Sequence, residues 1–261
     1  MDPASSPLLT FIVVFTLFVG AVFASNTTLA GQIEFNSGTR QVTLLELYTS
    51  QGCSSCPSAE RWLNAYVDSD DLWTKTVPVA FHVDYWDYLG WKDGLADSSH
   101  GERQRDYARA GRARTVYTPG MFTNGREWRG WTFRLKPRAS DREPGNLAVT
   151  VTDRKLSATF QGSIRPLELH VAILGFGIDT EIGRGENRNR TLRQEFAVLA
   201  HEVHGARGDG QWDVRLPEVS YRQAERFGLA VWVSEAGKPA PLQATGGWLD
   251  QVPRRPSVEH R

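Results

Sequence analysis

The sequence predicts an α/β domain followed by a smaller all-β, sandwich-like unit, and three observations carry that expectation. The apolar pattern changes from strand-like to helical across Cys53 and Cys56. A strand, helix, strand, helix, hairpin order then runs through residues 41–133. Beyond Gly145 the chain breaks into short apolar runs separated by Gly, Pro, Asp and Asn, as packed strands require.

Composition narrows the function classes. Of 261 residues 40% are hydrophobic, which supports a packed core rather than disorder. Thirty Lys and Arg balance thirty Asp and Glu, so the chain lacks the long-range field that non-specific nucleic-acid binding uses, and no nucleic-acid partner is expected. Arg103, Arg105, Arg109, Arg112 and Arg114 read as a solvated helix face.

From the start of the chain, Leu8 to Ala24 forms a 17-residue, almost unbroken apolar run. Residues 1–24 thus have the shape of a signal peptide or, uncleaved, of a membrane anchor, which would be the only contact with a membrane. The remainder is expected to be exported, periplasmic or extracellular, where paired cysteines can sit oxidised. Residues 25–40 read as polar. Val42 to Tyr48 is a buried strand by its run of branched residues bounded by Thr49-Ser50-Gln51-Gly52. Cys56, Ala59, Trp62, Leu63 and Tyr66 recur at helical spacing, and Pro57 is tolerated in the first turn, where its missing N–H has no partner to lose. Val77 to Val83 is a second strand, Ser99 to Ala110 a polar helix closed by Gly111, and Met121 to Trp131 a hairpin turning on Asn124-Gly125. Arg134 to Pro144, with two prolines and six charges, is the expected linker, placed at residues 134–145. In the second unit, residues 146–250, the strand-like runs are Leu147 to Thr152, Lys155 to Gln161, Leu167 to Leu174, Leu192 to His201 and Leu229 to Val233; a polar tail, residues 251–261, follows.

The chain has two cysteines, three apart at a strand-to-helix junction. Unsatisfied N–H groups and the positive dipole end of the helix stabilise a thiolate there, so Cys53 is expected as the exposed attacking thiolate and Cys56 as the resolving thiol. Glu46, between Leu45 and Leu47, points either to solvent or a turn it caps, or into a mostly apolar sheet face, where it would favour its neutral form and could take the proton from Cys56. Tyr85, Trp86 and Trp91, at the exit of the second strand, could wall an apolar groove for a client, with Asp84 or Asp87 tuning the thiol. The alternative is a plug of rings covering the sheet edge. A different chemistry stays open: Cys53, Cys56 and His82 together would suit a soft metal such as Cu(I). Gly183 to Arg190 could be a functional charged loop but reads more readily as a long turn between strands.

The run Leu45-Glu46-Leu47-Tyr48-Thr49-Ser50-Gln51-Gly52-Cys53-Ser54-Ser55-Cys56-Pro57 resembles the signature of a secreted thioredoxin-like family, domain of unknown function 1223. Phe81 to Lys92, Tyr117-Thr118-Pro119, Asn124-Gly125 and Gly185-Glu186-Asn187-Arg188 resemble that family's segments as well. The resemblance implies a thioredoxin-like α/β domain in which Glu46 is the buried acid of the first strand and Pro119 the cis-proline that leaves the Thr118 backbone free to pair with a client. Ser54-Ser55 stands where thioredoxin has Gly-Pro, and no final helix is predicted after the hairpin. The resulting expectation is a thiol–disulfide oxidoreductase or disulfide carrier that needs no cofactor, with a protein or peptide client and a separate redox partner. Its rival is a non-catalytic module that binds a soft metal or a protein partner at the same place.

Overall fold

Seven residues in a row, Thr43–Thr49, are buried without a break, and so are the seven of Thr76–His82. Strands covered on both faces read in this way, because neither alternating position can be polar without a partner. In the computed structural model these strands, β2 and β3, pair in parallel at the centre of an eight-stranded sheet. The structure describes residues 31–162, 166–205, 210–221, 223–249 and 252. The expected leader, and all of the expected tail except residue 252, lie outside them.

In chain order the strands are β1 (Gln32–Asn36), β2, β3, β4 (Gly120–Thr123), β5 (Arg126–Glu127), β6 (Asn146–Thr152), β7 (Lys155–Gln161), β8 (Leu167–Phe176), β9 (Ile178–Glu181), β10 (Thr191–Gln194), β11 (Ala197–Gly205), β12 (Gln211–Arg215), β13 (Arg226–Glu235) and β14 (Pro241–Leu249). Two α-helices stand among the described residues, α1 (Cys56–Asn64) after β2 and α2 (Ser98–Arg109) after β3. The large sheet has the order β14-β13-β8-β11-β3-β2-β4-β5. A second sheet, β1-β6-β7-β12, lays Leu147, Val149, Val151, Leu156, Ala158 and Phe160 against Leu169, Val171, Ile173, Leu229, Val231 and Val233 of β8 and β13. The hairpin turns where expected, with both Asn124 and Gly125 at positive φ.

This architecture corrects the predicted fold class, an α/β thioredoxin-like domain followed by a smaller all-β unit. Strands make up 43% of the described residues and helices 15%. More directly, β11, from the segment assigned to the second unit, continues the sheet beside β3, with Ala197 opposite Ala80 and the Ala80 N–H bonded to Phe196 O. The physical reason lies in β3: a buried strand needs its outer edge paired as well as its faces covered, and β11 supplies that edge. Residues 134–145 are also tied down rather than free. Gln41 N–H donates to Arg142 O, Ser140 Oγ to Gln41 Oε1 and Lys136 Nζ to Asp71 Oδ2.

The two helices lie on opposite faces of β2. Thr49 Oγ1 donates to Glu60 of α1 at 2.6 Å, whereas Glu46 accepts from Arg103 Nε of α2 at 2.8 Å and from Tyr107 of the same helix. Arg103 further spans Phe81, Tyr107 and Trp232, with centroid distances of 5.2–5.6 Å, and its NH2 reaches Pro239 O. One buried ion pair thus ties β2, α2, β13 and the turn before β14 together. Removing one partner of such a pair leaves an uncompensated charge in the core. Glu46→Gln should therefore lower unfolding stability by about 3–5 kcal/mol, read from denaturant midpoints; an unchanged midpoint would show that Arg103 does not depend on this carboxylate.

Candidate functional site

Strand β2 runs out into Ser50-Gln51-Gly52, and the chain then turns into α1 through the cysteine pair. Cys53 and Cys56 are joined by a disulfide, with Cα atoms 5.5 Å apart. The turn is closed by Cys53 N–H to Ser50 O at 3.1 Å and Cys56 N–H to Cys53 O at 3.2 Å, and Pro57 stands in the first turn of α1 as the sequence predicts. Gly52 lets Trp86 pack closely on the turn: a Cβ there would stand 3.3 Å from Trp86 Cβ, and one of the two would have to shift. Cys53 is 2% exposed and Cys56 0%, which corrects the expected exposure of Cys53, while Ser54 and Ser55 between them are exposed.

The cover comes from far along the chain. Asn187, fully buried in the loop between β9 and β10, donates through Nδ2 to Gln51 O and to Cys53 O, both at 2.9 Å. Arg190 holds Asn187 by its Oδ1, and Glu186 accepts the Ser54 N–H at 2.9 Å. Hydrogen bonding from the Ser54 side chain, together with this backbone N–H, keeps the exposed Glu186 carboxyl below its usual range. The loop read from sequence as a plain turn is therefore part of the site. The signal that could have found it is the Gly185-Glu186-Asn187-Arg188 resemblance.

The aromatic exit of β3 packs over the same turn. Trp86 donates Nε1–H to Thr118 Oγ1 at 2.6 Å, and the Thr118–Pro119 peptide bond is cis. Trp86 thereby connects Gly52 to the Thr118-Pro119 segment. Trp91 donates to Gln51 Oε1 at 3.0 Å and packs beside Gly185. Tyr85 turns the other way and donates to Gln104 of α2 at 2.9 Å. Asp84 faces Gly101 of the same helix, so neither residue is brought to the disulfide. Asp87 acts at one remove: its Oδ1 accepts the Asp93 N–H at 3.1 Å.

Asp93 opens a buried polar layer on the α1 face of the sheet. Its Oδ2 accepts from Gln51 N–H and lies 2.8 Å from His82 Nδ1, and its Oδ1 accepts from Leu95 N–H. Burial alone would lower the basicity of His82, but the Asp93 carboxylate overrides this and raises its pKa, while Asp93 is held below its usual range against its own burial. Glu60, 4% exposed, accepts from Thr49, and burial raises its pKa. In the rival metal reading His82 would be a third ligand beside the cysteines. Its Nδ1 is committed to Asp93, and among the described residues no group of three or more His, Cys, Asp or Glu is placed to hold a metal ion. Glu46 is corrected as well. Strand alternation puts it on the α2 face, paired with Arg103, so it does not lie beneath Cys56. Glu60 and Asp93 are buried carboxyl groups on the disulfide's side of the sheet, and sequence reasoning missed both.

Asn187→Ala would leave the Gln51 carbonyl without its donor, at about 1–3 kcal/mol, and leave Cys53 O with the Cys56 N–H alone. The variant should unfold at lower denaturant and its disulfide should open faster with a monothiol. If both quantities stay at wild-type values, Asn187 does not hold the turn.

Two solved structures share the architecture. A crystal structure of a protein from Agrobacterium tumefaciens matches with a TM-score of 0.58 at 25% identity, covering 85% of this chain and 99% of that one. HBP35 of Porphyromonas gingivalis matches with a TM-score of 0.50 at 14% identity, covering 85% and 80%, a likeness of fold alone. No curated protein matches. A family model described as a protein of unknown function, DUF1223, matches residues 44–234, the span that holds the disulfide turn, its aromatic cover and the Glu186-Asn187 loop, and the chain belongs to that family.

Proposed function

We propose that the Cys53–Cys56 pair exchanges disulfides with a protein or peptide client outside the cytosol. The observation that carries this reading is a closed disulfide at the first turn of α1, followed by a helix whose free N–H groups favour a thiolate. A client thiolate attacks Cys53 Sγ, the Cys53–Cys56 bond breaks, and Cys56 leaves as a thiolate at the helix start. A second client thiolate then attacks the client sulfur of the mixed disulfide, releasing an oxidised client and the Cys53 thiolate. Two client thiols are oxidised and the pair is reduced; the reverse sequence reduces a client disulfide. The exposed Ser54 and Ser55 give the approach, and Trp86 with Thr118 forms a wall beside it. Export rests on the apolar leader.

A second reading is favoured by one observation, the 2% exposure of Cys53. On that reading the disulfide is a lock that fixes the turn for the loops around it. The two readings differ in redox poise, because structural disulfides lie below about −300 mV and exchanging pairs above it. Equilibrating the protein in graded thiol–disulfide buffers, with a thiol count at each point, should give a potential above about −300 mV and two thiols per chain. A pair that stays oxidised across the range would establish the lock and end the exchange reading.

A further inference from the structure

We infer that the cavity flanking α1 is a binding site for a small aromatic acid, a planar ring that carries a carboxylate. The side chains of α1 divide into two stripes. Cys56, Ala59, Glu60 and Leu63 are buried, whereas Ser58, Arg61, Trp62 and the C-cap Ala65 recur at i, i+3, i+4 and i+7 and line the cavity. Tyr66, from the turn Ala65–Asp68, and Trp131, Arg134 and Lys136, from the turn Gly130–Phe133 and the residues after it, complete the lining. The cavity holds about 470 Å³, and sites for small molecules run from about 300 to 1,000 Å³. Cys53 and Cys56 do not line it, so the inference is independent of what the disulfide does.

The walls call for a flat apolar group. Trp62 meets Tyr66 edge-on with ring centroids 5.4 Å apart, and Trp128 backs Trp62 at the same separation. Trp62 and Trp131 are half-buried, which leaves ring surface for a third ring to stack on or meet edge-on. Tyr66 is 4% exposed, and its hydroxyl has no hydrogen-bond partner among the described residues; neither have the indole N–H groups of Trp62 and Trp131. Burial and the Asp71 carboxylate push the Tyr66 pKa up to about 12, so the hydroxyl remains a donor at neutral pH. A sheltered donor without a partner is costly, and an acceptor on a ligand would satisfy it.

The charges set the sign of the ligand. Three cations line the cavity and no acidic residue does. Lys136 is already neutralised: its Nζ lies 2.9 Å from Asp71 Oδ2 and 5.6 Å from the centre of the Tyr66 ring. Arg61 and Arg134 have no carboxylate partner among the described residues. Arg134 is set in place by its backbone, which takes a φ of 55° and donates its N–H to Trp131 O at 2.9 Å. Guanidinium groups match the planar fork of a carboxylate. A bare anion would leave the rings uncovered, an uncharged ring would leave both guanidinium groups unused, and a cation would be repelled. A ring joined to a carboxylate uses all of these features.

The test uses the full chain and calorimetric titration with phenylacetate, beside acetate, which lacks the ring, and benzyl alcohol, which lacks the charge. Phenylacetate should bind saturably, one per chain, and the other two at least about 10-fold more weakly. The double variant Arg61→Gln, Arg134→Gln should keep the wild-type denaturant midpoint, because both side chains are exposed. It should lose about 10-fold or more in affinity for phenylacetate and bind benzyl alcohol as before. Trp131→Ala should weaken both. The peptide acetyl-Gly-Phe carries the same chemistry at a chain end: tighter binding than phenylacetate assigns the cavity to the C-terminus of a polypeptide, and weaker binding to a free acid. The inference is overturned if phenylacetate shows no saturable binding, if acetate or benzyl alcohol binds as well, or if the double variant binds phenylacetate like wild type.

Discussion

Strand β2 is buried along its whole length between two helices, and a strand so placed can keep a polar side chain only where a partner reaches it. Glu46 and Thr49 are three positions apart and so point to opposite faces. Glu46 meets Arg103 and Tyr107 on α2, and Thr49 meets Glu60 on α1. Much of what distinguishes the two sides of the molecule follows from that division. The α2 side carries a fixed charge pair wedged among Phe81, Tyr107 and Trp232, which ties elements together. The α1 side carries carboxyl and imidazole groups whose pKa values burial and neighbours displace, directly under the disulfide turn.

The same rule extends past the end of β2. Ser50, Gln51, Gly52 and Cys53 are all buried, yet they form a turn, so their backbone groups cannot be satisfied by a sheet. Asn187 supplies two donors, Asp93 one acceptor, and the Ser50 hydroxyl accepts the Gly52 N–H at 3.0 Å. Two distant segments converge on the turn because backbone polarity in a dry place requires it. The convergence fixes the disulfide in one geometry and covers Cys53. The disulfide is thereby shielded, and on the proposed exchange reading a client would have to approach over Ser54 and Ser55.

Local chemistry was legible in the sequence where the signal is local. The period change at Cys56, the Asn124-Gly125 turn and the run of branched residues in β2 and β3 each report a backbone state directly, and the elements lie where those signals put them. What escaped depends on partners far along the chain. Glu46 between two leucines reads as a buried acid, but which face it takes is decided by Arg103, 57 residues away. Glu60 has no pattern of its own, since a Glu in a short helix is ordinarily solvated. Strand β1 hid behind two apolar residues, Ile33 and Phe35, and β14 behind the glycines Gly246 and Gly247, which lie against Trp73 and Phe35. The expected run Leu192 to His201 is split because Phe196 takes a positive φ, a break with no signature in its composition. The fold class failed for a related reason: nothing local shows that β11 pairs with β3 rather than with its own segment alone.

The central claim is that the pair is chemically asymmetric, with Cys53 the sulfur a client attacks and Cys56 the sulfur that leaves into the buried layer. Mass-spectrometric mapping of a trapped intermediate tests this most directly. The Cys56→Ser protein, incubated with a peptide disulfide, should accumulate a mixed disulfide at Cys53, whereas Cys53→Ser should leave Cys56 unmodified under native conditions. Equal labelling at both positions, or none at Cys53 while the protein remains folded, would contradict the account.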